Sequence, residues 1–334
     1  MTRTQATQFY IRLMEESRHL GMSDYFVSVT ATMAKPEVAG SYIDLLEAAD
    51  VDLSTKTVVD LGCKFGHALP LLLEFGAKQA IGVDAQERYL AEGRRIFGRL
   101  YRQIEFQLCE EGYLELESDS VDFVFANEVI SHVNPAYLPV LYGEIARVLK
   151  PGGVLLISDG NNWANRECRA DLLQVYDAWE NGPAGRSTGR DVVTQPYCEM
   201  RRALIARLRP DLDPETQRYL AATTFGLYDK KLEKVVMAYR PGEKFVERRY
   251  RPGIAPTNPE AGGFVMERAF HPRQVELELE ILGFDARQLL WRWRGVRDLI
   301  STVRRRLRDP RLFFSREVRR AENWGFVIRA RKRA

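Results

Sequence analysis

Over the first fifty residues, apolar positions recur at helical spacing. In "KPEVAGSYIDLLEAAD", residues 35–50, Pro36 sits near a helix start and Val38, Tyr42, Leu45 and Leu46 share one stripe. From Thr57 the pattern changes to short apolar runs alternating with helical ones. "TVVDLG" predicts a strand, and "HALPLLLEF" predicts a helix stopped by Gly76. "QAIGVD" is the next strand, followed by a helix over "AQERYLAEGRRIFGRL". "IEFQLC" and "VDFVFAN" make the third and fourth strands. A helix over "AYLPVLYGEIARVL" and a "KPGG" turn lead into a fifth, "VLLISD". These five strands are apolar almost throughout, which predicts a parallel sheet covered on both faces and joined by right-handed crossovers.

The rhythm stops at Asp159. Residues 160–262 read as mainly helical ("CRADLLQVYDAWE", "CEMRRALIARL", "ETQRYLAATTF", "DKKLEKVVMAY"), interrupted by the glycine-rich "NGPAGRSTGRD" and the proline-rich "RPGIAPTNPEAGG". A helix from about Pro272 then ends at Gly283, a strand follows, and "NWGFVIRAR" reads as the last strand.

Ligands of open parallel sheets bind beyond the carboxyl ends of the strands, so the turn "DLGCKFG" after the first strand is where chemistry is expected. A dinucleotide turn, G-x-G-x-x-G, would need glycines at 62, 64 and 67, but the chain has Gly62, Lys64 and His67. Asp60, two residues before the first glycine, would repel a pyrophosphate lying over the turn and suits a ligand that presents a cation.

S-adenosylmethionine has that charge pattern, an ammonium and a sulfonium beside one carboxylate. "VVDLGCKFG" resembles the glycine-rich motif of the class I S-adenosylmethionine-dependent methyltransferases, usually D/E-x-G-x-G-x-G, which here reads Asp60, Gly62, Lys64, Gly66. "IGVD", "CEEGYLELESDSVDFVFANEVISHV" and "RVLKPGGVLLISD" are similar to the landmarks that follow in that family. The resemblance is close over residues 55–160 and resumes over 264–293 and 323–331. It implies an α/β fold: a doubly wound, mostly parallel seven-stranded sheet with an antiparallel last strand, plus a helical insert after strand 5. The organisation is then an N-terminal helical segment (1–54), a cofactor-binding core (55–160) and a helical insert (161–262). The remainder (263–334) completes the sheet and carries a basic helical insertion at about 294–322. The insert is expected to be a lid or acceptor-binding region.

The resemblance also implies site residues. Asp60 and the loop from Gly62 through Cys63 and Lys64 to Gly66 would hold the methionine part of S-adenosylmethionine. Asp84, with Ala85 after it, would meet the ribose hydroxyls. Glu110 would accept from the adenine amino group, the Glu111 backbone N–H would meet a ring nitrogen, and Asn127 would lie beside the transferable methyl. Lys64 stands where the family has glycine. A lysine in the left-handed region costs roughly 1–2 kcal/mol. Its side chain is expected to extend to solvent, with pairing to an anionic group of cofactor or acceptor as the alternative.

Methyl transfer needs alignment and sometimes a base. His132, just past the fourth strand, is the candidate base, and on that ground oxygen is favoured as the acceptor atom. Asp159, Asn161, Asn162 and Trp163 are acceptor candidates, against a polar turn with an N-cap for the next helix. Trp291 and Trp293 flank Arg292 on one strand face, as core or as a stacking surface. His67 is expected to cap or pack, and no cluster has metal-ligand spacing, so no metal is expected.

Composition narrows the class. A chain of 334 residues that is 45% hydrophobic can bury one large core or two modest ones. No apolar run reaches the roughly 18–20 residues that span a bilayer, and "MTRTQATQFYIRLMEESRHLG" lacks the apolar stretch of a signal peptide. Cys63, Cys109, Cys168 and Cys198 are scattered without a CxxC pair, and a cytoplasmic protein is the expectation. Residues 294–334 hold fourteen Arg and Lys against four Asp and Glu, so a chain of net charge +3 carries a basic arm on an acidic body. The leading expectation is a methyltransferase for a small-molecule or lipid- or saccharide-linked acceptor. The alternatives are a methyltransferase whose basic segment 294–320 grips a nucleic-acid substrate or rests on an anionic membrane, or a methyltransferase-like scaffold without catalysis.

Overall fold

Side chains alternate across a strand, and here that alternation divides the core into two layers. Val58, Ala80, Ile104, Phe123, Phe125, Val154 and Leu156 point to one face, and Val59, Leu61, Ile81, Val83, Val124, Ala126, Leu155 and Ile157 to the other. A computed structural model of the chain describes residues 2–188, 192–245, 250–260, 267–289, 303–304, 307–308, 320 and 322–334. Trp291, Arg292, Trp293 and most of the basic segment lie outside the described residues.

The sheet has seven strands: β1 (Thr57–Leu61), β2 (Gln79–Asp84), β3 (Ile104–Leu108), β4 (Val121–Asn127), β5 (Leu149–Asp159), β6 (Phe284–Leu289) and β7 (Phe326–Lys332). Their order is β3-β2-β1-β4-β5-β7-β6, and β7 runs antiparallel to both of its neighbours. The doubly wound sheet with an antiparallel last strand is therefore as expected. Two predicted boundaries move. Strand β5 starts at Leu149, and the "KPGG" turn is a register shift within its pairing to β4. The helix after β1 begins at Leu69, two residues later than "HALPLLLEF" predicts.

The first face is covered by α4 (Leu69–Glu74), α5 (Glu87–Leu100) and three N-terminal helices, α1 (Arg3–His19), α2 (Asp24–Met33) and α3 (Pro36–Ala48). Ser23 caps α2 by accepting from the Phe26 N–H, and it also binds Glu92 of α5, which ties the N-terminal helices to the core. The second face packs against α6 (Leu138–Val148) and α11 (Pro272–Ile281).

The insert comprises α7 (Arg166–Asn181), α8 (Tyr197–Leu208), α9 (Pro214–Thr223) and α10 (Asp229–Ala238). Ile205, Leu220, Leu232 and Val236 give it a small core of its own. The buried Arg201 guanidinium pairs with Glu180 and donates from Nε to the Ala221 carbonyl, so the charge is taken out of water with its partners present. Asn162 and Trp163 fasten the insert to the sheet layer: Asn162 bridges Phe270, and the Trp163 N–H donates to the Phe270 carbonyl.

Phe26 is fully buried against Phe65, His67 and Phe97, with ring centroids 5.0, 4.8 and 6.3 Å away. Phe26→Ala is expected to destabilise the chain by about 3–5 kcal/mol in denaturant unfolding, because it empties the contact that seats α2 on the sheet. An unchanged midpoint would mean that α2 is not seated there.

Candidate active site

Strand β1 pairs with β2 on one side and β4 on the other, so the chain reverses its direction of winding between β1 and β4. The loop after β1 opens over this point. Its geometry is set by backbone. Gly62 has φ +68°, and a Cβ there would lie 2.5 Å from Val129 Cγ2; Gly66 has φ +87°, and a Cβ would lie 2.6 Å from the Phe106 ring. Neither position accepts a side chain without movement. Between them Lys64 has φ +54°, the left-handed conformation that its place in the motif implies.

Two interactions offset the cost of that conformation. The Lys64 N–H donates to Asp84 Oδ2 at 2.9 Å, while the Gln86 N–H donates to Oδ1 at 2.9 Å. Asp84 thereby braces the glycine loop against the end of β2. The Lys64 side chain does not extend into solvent: Nζ lies 4.2 Å from the Tyr25 ring centroid, with Phe65 and Tyr89 at 5.9 Å. The left-handed backbone directs the ammonium towards α2, where it gains a cation–π contact.

Asp60 has no such company. It is buried at the end of β1, and among the described residues no group donates a hydrogen bond to it. Burial, and then the nearby Asp84 carboxylate, push its carboxyl up to about 8. Asp60 lines a cavity of about 520 Å³ together with Gly62, Cys63, Lys64, Asn127 and Glu128. The opposite wall is built by Ser28, Val29, Met33, Val38 and Tyr42 of α2 and α3. Sequence reasoning missed this wall, although its signal, the stripe containing Val38 and Tyr42, was visible. Tyr42 hydrogen-bonds Asn127, and burial followed by Asp60 pushes its phenol up to about 12, so it stays neutral. His67 packs as expected: Nε2 contacts Thr30 Oγ1 at 2.8 Å, and burial lowers it to about 3.

The other expected residues separate. Glu110 and Glu111 are exposed beyond β3, and Glu111 accepts from the Tyr137 hydroxyl at 3.2 Å. His132 is exposed and lines neither this cavity nor the smaller one described next, because the turn after β4 directs Ser131, not His132, to the interior. Asn161 and Asn162 are buried in structural contacts. The Asn161 carbonyl accepts from Phe270, and Asn162 Nδ2 donates to the Arg320 and Asn323 carbonyls. Trp163 packs in the insert beside Arg169, and the cap of α7 is Asn165. None of the three lines either cavity, and no described residue of α7–α10 lines the larger one, which α2 and α3 close instead. Asp159 lines a second cavity of about 230 Å³, and Glu128 borders both.

Residues 58–153, which carry the glycine loop, Asp60, Asp84 and Asn127, match the protein family described as a methyltransferase domain. This segment is a class I S-adenosylmethionine-dependent methyltransferase domain. The methyltransferase domain aligns over 106 residues with phosphoethanolamine N-methyltransferase 1 of Triticum aestivum, at 31% identity, covering 31% of this chain and 21% of the relative. Malonyl-(acyl-carrier protein) O-methyltransferase of a Methylovorus strain is 33% identical over 139 residues, 39% of this chain and 46% of that protein. The chain thus spans less than half the length of these curated relatives. A solved S-adenosylmethionine-dependent methyltransferase from Mesorhizobium loti superposes with a TM-score of 0.43 at 17% identity, covering 86% of this chain and 95% of that one.

S-adenosylmethionine is the methyl donor of this class, and the residues present fit it. A buried carboxylate to which no described residue donates a hydrogen bond suits an ammonium, and about 520 Å³ lies within the roughly 300–1,000 Å³ of small-molecule sites.

The raised carboxyl has a consequence for stability. Below about pH 4 Asp60 is protonated folded and unfolded alike. Between about pH 4 and its folded value of about 8, the unfolded chain loses the proton while the folded chain keeps it, so stability falls as pH rises. Asp60→Asn is therefore expected to match the wild type near pH 4 and to exceed it near pH 8 by on the order of a few kcal/mol in ligand-free thermal unfolding. Equal stability of the two at pH 8 would contradict an unpartnered carboxyl.

Proposed function

We propose that the chain is an S-adenosylmethionine-dependent methyltransferase acting on a small-molecule acceptor. The observation that carries this reading is Asp60, a buried carboxylate with no hydrogen-bond donor among the described residues, on the wall of a cavity beneath a glycine loop. Relatives named as N- and as O-methyltransferases support the class without selecting the acceptor atom. The preference for oxygen rested on His132, whose exposed position gives it no support.

S-adenosylmethionine, when bound, supplies a methyl group already activated on a sulfonium sulfur. Asp60 would hold the ammonium of its methionine part, and the loop from Gly62 to Gly66, including Cys63 and Lys64, would lie along it. Asp84 spends one lone pair of each oxygen on the loop and keeps capacity for the ribose hydroxyls, with Ala85 beside it. Glu110 would meet the adenine amino group, and the Glu111 N–H a ring nitrogen. Asn127, oriented by Tyr42, would face the reacting end. Val29, Met33 and Val38 would exclude water, which strengthens every electrostatic contact inside the cavity.

Calorimetric titration with S-adenosylmethionine between pH 6 and 8 tests the reading. Binding the ammonium ionises a carboxyl that is protonated in the empty site, so a proton is released. Affinity should then rise with pH, by up to about tenfold per unit, towards a maximum near the α-amino range of about 7.7–8.0. Asp60→Asn should lose at least tenfold in affinity near pH 8 and flatten the profile. No binding at millimolar cofactor would contradict the proposal.

A further inference from the structure

S-adenosylmethionine carries its ammonium and its carboxylate on the same carbon atom. An ammonium seated on Asp60 therefore brings the cofactor carboxylate within a few ångströms of the Asp60 carboxylate, a like-charge approach that a cation offsets. Donors for the incoming carboxylate are committed elsewhere along much of the cavity. In the glycine loop the Cys63 N–H donates to the Val83 carbonyl at 3.0 Å, the Lys64 N–H to Asp84 at 2.9 Å, and the Gly66 N–H to the Cys63 carbonyl at 2.7 Å. On the α2 wall the Ser28 hydroxyl donates to the Tyr25 carbonyl at 2.8 Å and the Thr32 hydroxyl to the Ser28 carbonyl at 3.0 Å. A hydroxyl has one proton, so these two present lone pairs to the cavity.

The Lys64 side chain, by contrast, has donors to give. It lines the cavity, and among the described residues its ammonium contacts aromatic rings and no carboxylate at ion-pair distance. Asp84 feels the lysine charge, but its two oxygens accept from the Lys64 and Gln86 N–H groups. The rings form one cluster, with Phe65 edge-on to Tyr25 at 5.7 Å and to Tyr89 at 4.9 Å. This cluster holds the ammonium at the meeting of the glycine loop and α2, beside the wall that the methionine part would follow. His67, the other basic side chain among the described lining residues, is neutral, because burial lowers it to about 3.

We propose that the Lys64 side chain holds the carboxylate of S-adenosylmethionine, its ammonium lying between that carboxylate and the Tyr25 ring. The assignment rests on the transferase reading and names a cofactor contact that a glycine at this position of the motif cannot make. Asp60 and Lys64 then treat the two ends of one amino-acid group in opposite sense, carboxylate to ammonium and ammonium to carboxylate. An ammonium has three donors, so a ring on one side leaves donors for a carboxylate on another. Hydrogen bonds between ionised groups are about twice as strong as neutral ones, and they gain further where the α2 and α3 wall excludes water. The consequence is selectivity: the site distinguishes the cofactor from an analogue that lacks only the carboxylate.

The test titrates the full chain at pH 8 by calorimetry with S-adenosylmethionine and with decarboxylated S-adenosylmethionine, which keeps the ammonium and the sulfonium. The wild type is expected to bind the cofactor at least tenfold more tightly than the analogue. In Lys64→Met, shown to be folded by thermal unfolding, the two should bind within about threefold of each other, because the cofactor alone loses affinity. Lys64→Arg keeps the charge and should keep most of the preference. Equal affinity of the wild type for both ligands, or a preference that survives in Lys64→Met, would overturn the assignment and leave the transferase reading standing. So would a Lys64→Met variant that weakens both ligands alike, since the lysine would then only tie the loop to α2. Binding of neither ligand to the folded wild type would sink the transferase reading and the assignment together.

Discussion

The site depends on one buried carboxyl, Asp60, to which no described residue donates a hydrogen bond. A charged group in that position costs several kcal/mol, and the empty protein meets this cost by keeping Asp60 protonated. It sits at the end of β1, in register with Gly82 of β2 and Phe125 of β4, and faces the cavity. The cavity in front of it exists because Gly62 and Gly66 draw the loop aside and because α2 and α3 roof the space.

Asp84 and Lys64 show how the unpaired state is maintained. Asp84, one strand over, has both oxygens engaged by loop N–H groups and acts as scaffold. Lys56 and Lys64, four residues to either side, carry the cations nearest in sequence that could neutralise Asp60, yet Lys56 pairs with Asp122 and the Lys64 ammonium sits over Tyr25. A glycine at 64 would fit the backbone with less strain but would remove this tie between the loop and α2. The lysine is therefore a departure from the motif that leaves the carboxylate open, and it joins the loop to the roof of its own cavity.

Much of the fold was legible because both faces of the sheet are covered: apolar runs such as "QAIGVD" and "VDFVFAN" end where burial ends. The helix after β1 was misread by two residues because the apolar run "LPLLLEF" was extended back over His67 and Ala68, while the turn at Gly66 holds those residues outside the helix. Asp60, Gly62, Cys63, Lys64 and Asn127 were named from strand-end logic and family pattern, and they meet at one cavity. The roof was not legible, since periodicity reveals that Val38 and Tyr42 are buried but not what they cover. Asn161, Asn162 and Trp163 misled for a related reason: polar and aromatic residues past a strand end suit a ligand, but here the Phe270 backbone claims Asn161 and Trp163, and the Arg320 and Asn323 carbonyls claim Asn162.

The most direct test is the proton on Asp60 itself, followed by carbon-13 NMR of the aspartate carboxyl groups in wild type and assigned by loss in Asp60→Asn. One carboxyl is expected to titrate near 8 in the ligand-free protein and to become ionised at pH 7 when S-adenosylmethionine is added. An Asp60 that titrates in the ordinary carboxylate range near 4, or that keeps its proton with the cofactor present, would contradict the account.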